Sequence, residues 1–230
     1  MLCAAARMQG QGTFQNLDFE SATLVPVPGN PYGSVQFSPA FPGWTASIAG
    51  ITQTTTLHSS SFLDTSGTGI LDHSGLSTYP VIEGNFSAQL QAALSYPLQP
   101  PYTTLSQSGL IPTTTQTLLF KAYEEGDPSA FIVTLGGVQL SPVPLSTDTN
   151  NSPNITLYGA DIHAWAGQNQ ELAFTVVAQR PYDSNIHTMI LDSIQFSAEA
   201  IPEPGVCGLF ACGILFLGWR RCKGRPTLSF

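Results

Sequence analysis

An all-β sandwich is the fold class this sequence predicts, and three observations predict it. Apolar runs between Thr13 and Ser197 are short and rich in Thr, Val, Ile and aromatic residues, which suits half-buried strands. Turn pairs recur at Pro28-Gly29, Pro42-Gly43, Asp127-Pro128 and Gly136-Gly137. Phe86-Ser87-Ala88-Gln89-Leu90-Gln91-Ala92 alternates apolar with polar side chains, so one face of that segment is expected to be buried. Two sheets of this kind must pack on each other.

In chain order, the first expected strand is Phe14 to Phe19. Trp44 to Ile48 follows the Pro42-Gly43 turn, and Thr52 to Leu57 is the next β-branched run. Tyr79 to Ile82, Phe86 to Leu94, Thr103 to Ser108 and Thr117 to Tyr123 come next. Ala130 to Leu135 lies between Asp127-Pro128 and Gly136-Gly137. Ile155 to Tyr158, Leu172 to Ala178 and His187 to Phe196 complete the set. Only Ala160 to Gly167 reads as helical, a single turn opened by Asp161 as N-cap and stopped by Gly167. The expected architecture is a jelly-roll β-sandwich of about eight to eleven strands. The alternative is an immunoglobulin-like sandwich, whose cysteine pair is missing here.

Length and charge bound the function. The 230 residues suit one large β domain rather than two. The formal charge of −8 hides an asymmetry. Up to Trp219 three basic residues (Arg7, Lys121, Arg180) stand against 15 acidic ones, a balance of −12, and the tail returns +4. No basic stripe exists to neutralise phosphates, which excludes nucleic acid as a partner. Cysteine is confined to Cys3 at one end and Cys207, Cys212 and Cys222 at the other. The body between them therefore has neither a disulfide nor a thiolate metal site. Leu2-Cys3-Ala4-Ala5-Ala6 reads as the end of a signal-peptide apolar region, and Met8 to Gly12 as a small-polar cleavage region. The expectation is that the reading frame upstream encodes the remainder.

The C-terminal segment is the most specific feature. Pro202-Glu203-Pro204-Gly205 precedes Val206 to Trp219, a run with no charge and no proline, in which a helix satisfies every backbone group inside lipid. Such a helix is about 21 Å long against roughly 30 Å of hydrocarbon, short for a permanent span. Trp219 suits the membrane interface, and Arg220, Arg221, Lys223 and Arg225 supply the basic cluster of a cytoplasmic stop. The two prolines keep the segment before the helix extended.

Pro-Glu-Pro, a short Gly- and Leu-rich apolar helix and a terminal Arg cluster, in that order, resemble the PEP-CTERM sorting signal of Gram-negative bacteria. The resemblance implies recognition by an exosortase, a membrane-embedded transpeptidase-like enzyme, and export with a transient membrane anchor. The protein would then be left at the cell surface or in an exopolysaccharide matrix. The matching positions are Pro202, Glu203 and Pro204, the helix from Val206 to Trp219, and Arg220 with Arg221. The sequence departs from the commonest form at Gly205 and in its longer end, Gly224 to Phe230. The expected organisation is a signal-peptide remnant over 1–12, a β-sandwich over 13–199, the sorting signal over 200–225 and a tail over 226–230.

A second resemblance lies in the body. Asn16-Leu17-Asp18-Phe19-Glu20-Ser21 with Pro42-Gly43-Trp44, then Asp161 to Gln168 with Leu172-Ala173-Phe174, then Leu191-Asp192-Ser193-Ile194, resemble galactose-binding-like and carbohydrate-binding-module jelly rolls. The resemblance implies that the first and last strands lie side by side. It also implies that Glu20 and Asp192, with Asp18 as a third ligand, hold a structural Ca²⁺. Ser193 stands where those modules commonly carry a second acid.

Catalytic patterns are sparse. Asp72-His73-Ser74 holds the letters of a triad, but triad members come from separate segments. Neither a G-x-S-x-G elbow nor an H-E-x-x-H helix occurs. His58, His73, His163 and His187 are scattered; Glu83, Glu124, Glu125 and Asp127 are acids available to a glycosidase pair, yet Glu124-Glu125-Gly126-Asp127-Pro128 reads more plainly as a solvated hairpin loop. Trp44, Tyr79, Tyr96, Tyr102, Trp165 and Tyr182 are the aromatic candidates for stacking on a sugar. The expected function is a non-enzymatic surface protein whose sandwich binds carbohydrate; a purely structural surface protein and a polysaccharide hydrolase are the alternatives.

Overall fold

The computed structural model describes residues 11–30, 33–60, 62, 65–74, 77–93, 101–149, 154–178 and 186–201, and among these the chain is all-β. The elements begin with β1 (Ser34–Gln36), a one-turn helix α1 (Phe37–Ala40), β2 (Thr45–Ile48), β3 (Ile51–Thr52) and β4 (Thr55–His58). Next come β5 (Gly67–Leu71), β6 (Ser87–Ala92), β7 (Tyr102–Leu110), β8 (Thr117–Glu125) and β9 (Phe131–Leu135). The last are β10 (Val138–Gln139), β11 (Val143–Asp148), β12 (Ile155–Asp161), β13 (Asn169–Val177) and β14 (His187–Ser197).

Two sheets result. One has eight strands in the order β1-β4-β5-β6-β14-β8-β12-β11; the other has six, β10-β9-β13-β7-β2-β3. Pairing is antiparallel except between β4 and β5, which run parallel. The core forms where alternate residues point inward: Ala88 and Leu90 of β6, Leu118 and Phe120 of β8, and Leu172, Phe174 and Val176 of β13. Phe120 meets Phe174 edge-on with ring centroids 5.2 Å apart, joining the two sheets, and stacks on Tyr158 at 5.3 Å.

The outward residues of β6 are buried as well, because loops cover that face. Ser87, Gln89 and Gln91 are all buried. Phe62 packs over β5, where a Cβ on Gly67 would stand 2.4 Å from its ring, so glycine is required there. The segment 79–86 lies over β6 and β14: Ile82 N donates to Ser87 Oγ (2.8 Å) and Glu83 N to Asp192 Oδ2 (3.1 Å).

Several sequence expectations are corrected: fourteen strands are described rather than about eight to eleven, and the last strand, β14, lies between β6 and β8 rather than beside the first. Phe14 to Phe19 is a run of turns rather than a strand, since Asn16 and Phe19 adopt left-handed backbone (φ 50° and 58°) while Leu17 and Phe19 bury fully. Its buried residues are Phe14, Asn16, Leu17 and Phe19, and the adjacent pair 16–17 breaks the alternation of a strand. Tyr79 to Ile82 is the covering loop just described. Thr52 to Leu57 divides into β3 and β4, which belong to different sheets. The sequence reading also passed over α1, β1, β5, β10 and β11. β11 is an exposed edge strand containing Pro144 and a register shift before Ser146, features that blunt edge pairing and resemble a loop in sequence. The expected helical turn shrinks to a single 3-10 turn, His163–Trp165, whose N-cap is Ile162 rather than Asp161; Ala160 and Asp161 end β12, Asp161 Oδ1 accepts from His163 N (3.1 Å), and Gly167 follows at φ 76°.

Met1 to Gly10, the sorting motif and the apolar run Val206 to Trp219 lie outside the described residues. Among the described residues no helix is long and apolar enough to cross a membrane.

Candidate functional site

The left-handed turn at residues 16–20 crosses the register shift in β14, and this contact creates the first cleft. Ile194 N donates to Leu17 O (3.0 Å), and Trp44 Nε1 donates to Asn16 O (3.0 Å). The shift between Asp192 and Gln195 puts Ser193 at φ 51°. Asp18, Glu20, Glu83, Asp192 and Ser193 thereby line a cleft of about 320 Å³.

Each carboxylate in it has partners. Glu20 accepts from Asn85 N (2.7 Å), Asn85 Nδ2 (2.7 Å) and Phe86 N (2.9 Å), tying the first turn to the covering loop. A Cβ on Gly84 (φ 65°) would lie 2.4 Å from Glu20 Oε1, so only glycine fits. Asp192 is 1 % exposed. Its Oδ2 accepts from Ser87 Oγ (2.7 Å) and Glu83 N, and its Oδ1 from Ser193 N (2.6 Å). Glu83 Oε2 accepts from Lys121 Nζ (2.6 Å) and from Ser193 Oγ. Asp18 accepts from Glu20 N (3.3 Å).

The environments of these acids differ. Burial pushes the Asp192 carboxyl up to about 7, with Glu83's charge adding to it and the donors from Ser87, Ser193 and Glu83 N opposing. Burial also acts to raise Glu20, but the donors from Phe86 and Asn85 outweigh it and hold it below its ordinary value. Lys121 and Ser193 hold Glu83 down.

Glu20, Asp192 and Asp18, the residues the resemblance assigns to Ca²⁺, thus share one cleft. The chemistry of the donors suits a hard cation. Their geometry does not converge as a ligand set: Glu20 and Asp192 direct their oxygens to N–H and O–H donors. Among the described residues no group of three or more His, Cys, Asp or Glu side chains is disposed to hold a metal. Of the other polar members of the cleft, Ser193 stands out in the sequence only as a replacement for a second acid and Glu83 only as an available carboxylate, and neither is assigned to this site by the sequence. The bulge that turns Ser193 inward has no signature in single-sequence alternation.

A second cleft, of about 410 Å³, is lined by residues of β1, β2, β4 and β5 and by the chain after β3. Its walls combine hydroxyls and amides with Ile48, Leu57 and Phe62, and none of its lining residues is charged. No sequence signal points to it, because it is assembled from single residues of separate segments.

The letters Asp72-His73-Ser74 do not form a triad. His73 Nε2 lies 3.0 Å from Gly84 O, and Ser74 N donates to Asp72 Oδ1 (2.9 Å). Asp72 instead bridges His58 Nε2 (2.7 Å) and Ser59 Oγ (2.7 Å). Ser59 donates to the carboxylate and not to the imidazole, so Asp72, His58 and Ser59 are not arranged as a serine–histidine–acid relay. Donors from Ser74, Ser59 and His58 overcome the burial of Asp72 and hold it well below its ordinary range. Glu124 is not part of a solvated loop. It accepts from Tyr158 Oη (2.9 Å), and burial raises its carboxyl against that bond.

Among the aromatic candidates, Trp44 is a core residue at 4 % exposure, and Trp165 packs partly against the core. Tyr79 Oη donates to Glu125 Oε2 (2.7 Å), while Tyr102 is exposed. Tyr96 and Tyr182 lie outside the described residues.

Among the described residues the fold defines a class, a two-sheet all-β domain, whose clefts include an acidic and an uncharged one. No protein-family model matches the chain, and no curated protein matches it.

Proposed function

We propose that this chain is an exported, non-enzymatic surface protein of a Gram-negative bacterium, with an exosortase sorting signal at its C-terminus and a carbohydrate-binding sandwich before it. The observation that carries this reading is the order Pro202-Glu203-Pro204, apolar Val206 to Trp219, and basic Arg220, Arg221, Lys223 and Arg225. In sequence it begins directly after Ile201, the last described residue. An extended handle next to a folded domain is what a membrane-embedded processing enzyme needs to reach. The short helix then serves as a transient anchor before release to the cell surface or its exopolysaccharide.

We read the sandwich as a jelly roll. Its second half passes between sheets at β6–β7, β7–β8, β8–β9, β10–β11, β12–β13 and β13–β14, as paired Greek keys do. Fourteen strands among the described residues exceed the seven to nine or so of an immunoglobulin-like sandwich.

Intact-mass spectrometry of protein recovered from the surface of a host expressing an exosortase tests the sorting reading. The expected mature chain lacks Arg220 to Phe230, and Glu203→Ala leaves the full-length chain in the membrane. Full-length chain at the surface in both cases overturns it.

A structural Ca²⁺ is the second reading: Asp18, Glu20, Glu83 and Asp192 gather in one cleft, and binding would have to draw Glu20 and Asp192 away from the N–H and O–H donors they now meet. Binding would require Asp192 to be ionised, so the metal's effect should grow from pH 5.5 to pH 8. The expected result is a rise in Tm with millimolar Ca²⁺ at pH 8 that is lost in Asp192→Asn. An unchanged Tm at pH 8 assigns these carboxylates to hydrogen bonding alone.

A further inference from the structure

The uncharged cleft offers a specific chemistry. Ile48 and Leu57 supply apolar wall, and Phe62 backs it from its place over Gly67. Several of its polar groups are already satisfied: Thr56 Oγ1 donates to Thr68 O (2.7 Å), Thr65 Oγ1 to Phe62 O (2.6 Å) and Ser66 Oγ to Ala93 O (3.0 Å). The Gln53 amide nitrogen donates to Ile51 O (2.7 Å), and its carbonyl oxygen accepts from no described residue, which keeps it available as an acceptor. Ser34 Oγ and Thr55 Oγ1 have no partner among the described residues. Thr55 is exposed and Ser34 half-buried.

These three groups determine what fits. A hydroxyl both donates and accepts, and an amide oxygen only accepts. A ligand carrying a phosphate or carboxylate would be desolvated here without a counter-charge, which is costly. A purely apolar ligand would strand the polar groups. A ligand that meets all three groups, lies against Ile48 and Leu57, and carries no charge is rich in hydroxyls and has an apolar face. The volume, about 410 Å³, lies in the range of roughly 300–1,000 Å³ usual for small-ligand sites.

We infer that this cleft binds a neutral saccharide unit, with Ser34, Gln53 and Thr55 as its hydrogen-bonding partners and Ile48 and Leu57 as its apolar floor. The inference rests on the reading of the sandwich as a carbohydrate-binding domain and assigns that binding to a site.

The experiment uses the full chain, solubilised in detergent, against neutral disaccharides and short glucans and galactans, with uronic-acid oligosaccharides as the charged arm. Titration calorimetry compares the natural chain with Ser34→Ala/Thr55→Val, which removes two hydroxyls at little change in shape, and with Thr55→Trp, which fills the cleft. Far-UV circular dichroism and Tm establish that each variant is folded, and the double variant decides the matter if the tryptophan variant is not. The expected result is binding of a neutral saccharide, weakened about tenfold or more by the double variant and abolished by Thr55→Trp. Neutral-sugar binding that survives both changes overturns the cleft assignment and leaves the carbohydrate reading standing. Binding of uronic-acid oligosaccharides alone overturns the ligand class. No binding to any sugar overturns both the cleft assignment and the carbohydrate reading.

Discussion

Asp192→Ala is expected to destabilise the sandwich by about 3 kcal/mol or more, counting about 1 kcal/mol for each of the three donors it strands. Those donors are Ser87 Oγ, Glu83 N and Ser193 N, held around a carboxylate that is 1 % exposed. Losing them frees the covering loop from β6 and β14, so the damage spreads beyond one side chain. Urea unfolding measures it, and a loss below about 1 kcal/mol would show that the carboxylate does not organise the cleft. The same residue gives the domain a pH dependence. Its folded pKa of about 7 stands above its ordinary 3.8, so the folded state binds the proton more tightly. Its stabilising contribution is fully present below about pH 4 and is lost as pH rises through 7. Glu124, also raised by burial, has the same sign. Asp72 has the opposite sign: held low, it contributes above its ordinary 3.8, and that contribution is lost as pH falls. Stability is therefore expected to peak in mildly acidic solution, with Tm higher at pH 5.5 than at pH 8. Asp192→Asn should flatten that difference; a slope unchanged in this variant would place the titration elsewhere.

The fold was legible where burial is one-sided. β6, β7, β8, β9, β12, β13 and β14 each fall on a run that the sequence marks by alternation or β-branching, and three of the four predicted turn pairs occur at turns, while Asp127-Pro128 opens a short 3-10 helix, Pro128–Ala130. Gly29, Gly43, Gly136 and Gly137 take the positive φ those turns require. Reading failed where tertiary contact overrides pattern. Phe14, Leu17 and Phe19 looked like strand residues because they are apolar, yet they fill the core from a left-handed turn. β5, Gly67-Thr68-Gly69-Ile70-Leu71, is absent from the expected strands because its glycines carry no strand propensity. They are there because Phe62 occupies the space above them. The site divides the same way. Glu20 and Asp192 could be picked out from a resemblance in sequence order. Glu83 became visible only when the loop before β6 folded over β14, and Ser34, Gln53 and Thr55 only when two sheets closed on each other.

The sandwich should depend most on the place where its sheets meet. Phe120→Ala is expected to lose about 3–5 kcal/mol, the range for removing a buried phenyl ring. Phe120 is 1 % exposed and lies between Phe174 of the six-stranded sheet and Tyr158 of its own sheet. Removing it forfeits both ring contacts and opens a void that the two sheets, fixed by their hydrogen-bond ladders, can only partly close. It also unseats Tyr158, whose hydroxyl is the donor that satisfies the half-buried Glu124. Glu124 would then meet water in place of Tyr158, and its raised pKa should fall toward the ordinary value. The control is Ile51→Ser: Ile51 is 71 % exposed, and its loss should change stability by no more than about 0.5 kcal/mol. Chemical denaturation of both variants decides the matter. If the two cost the same, the inter-sheet aromatic contact is not what holds the sandwich together.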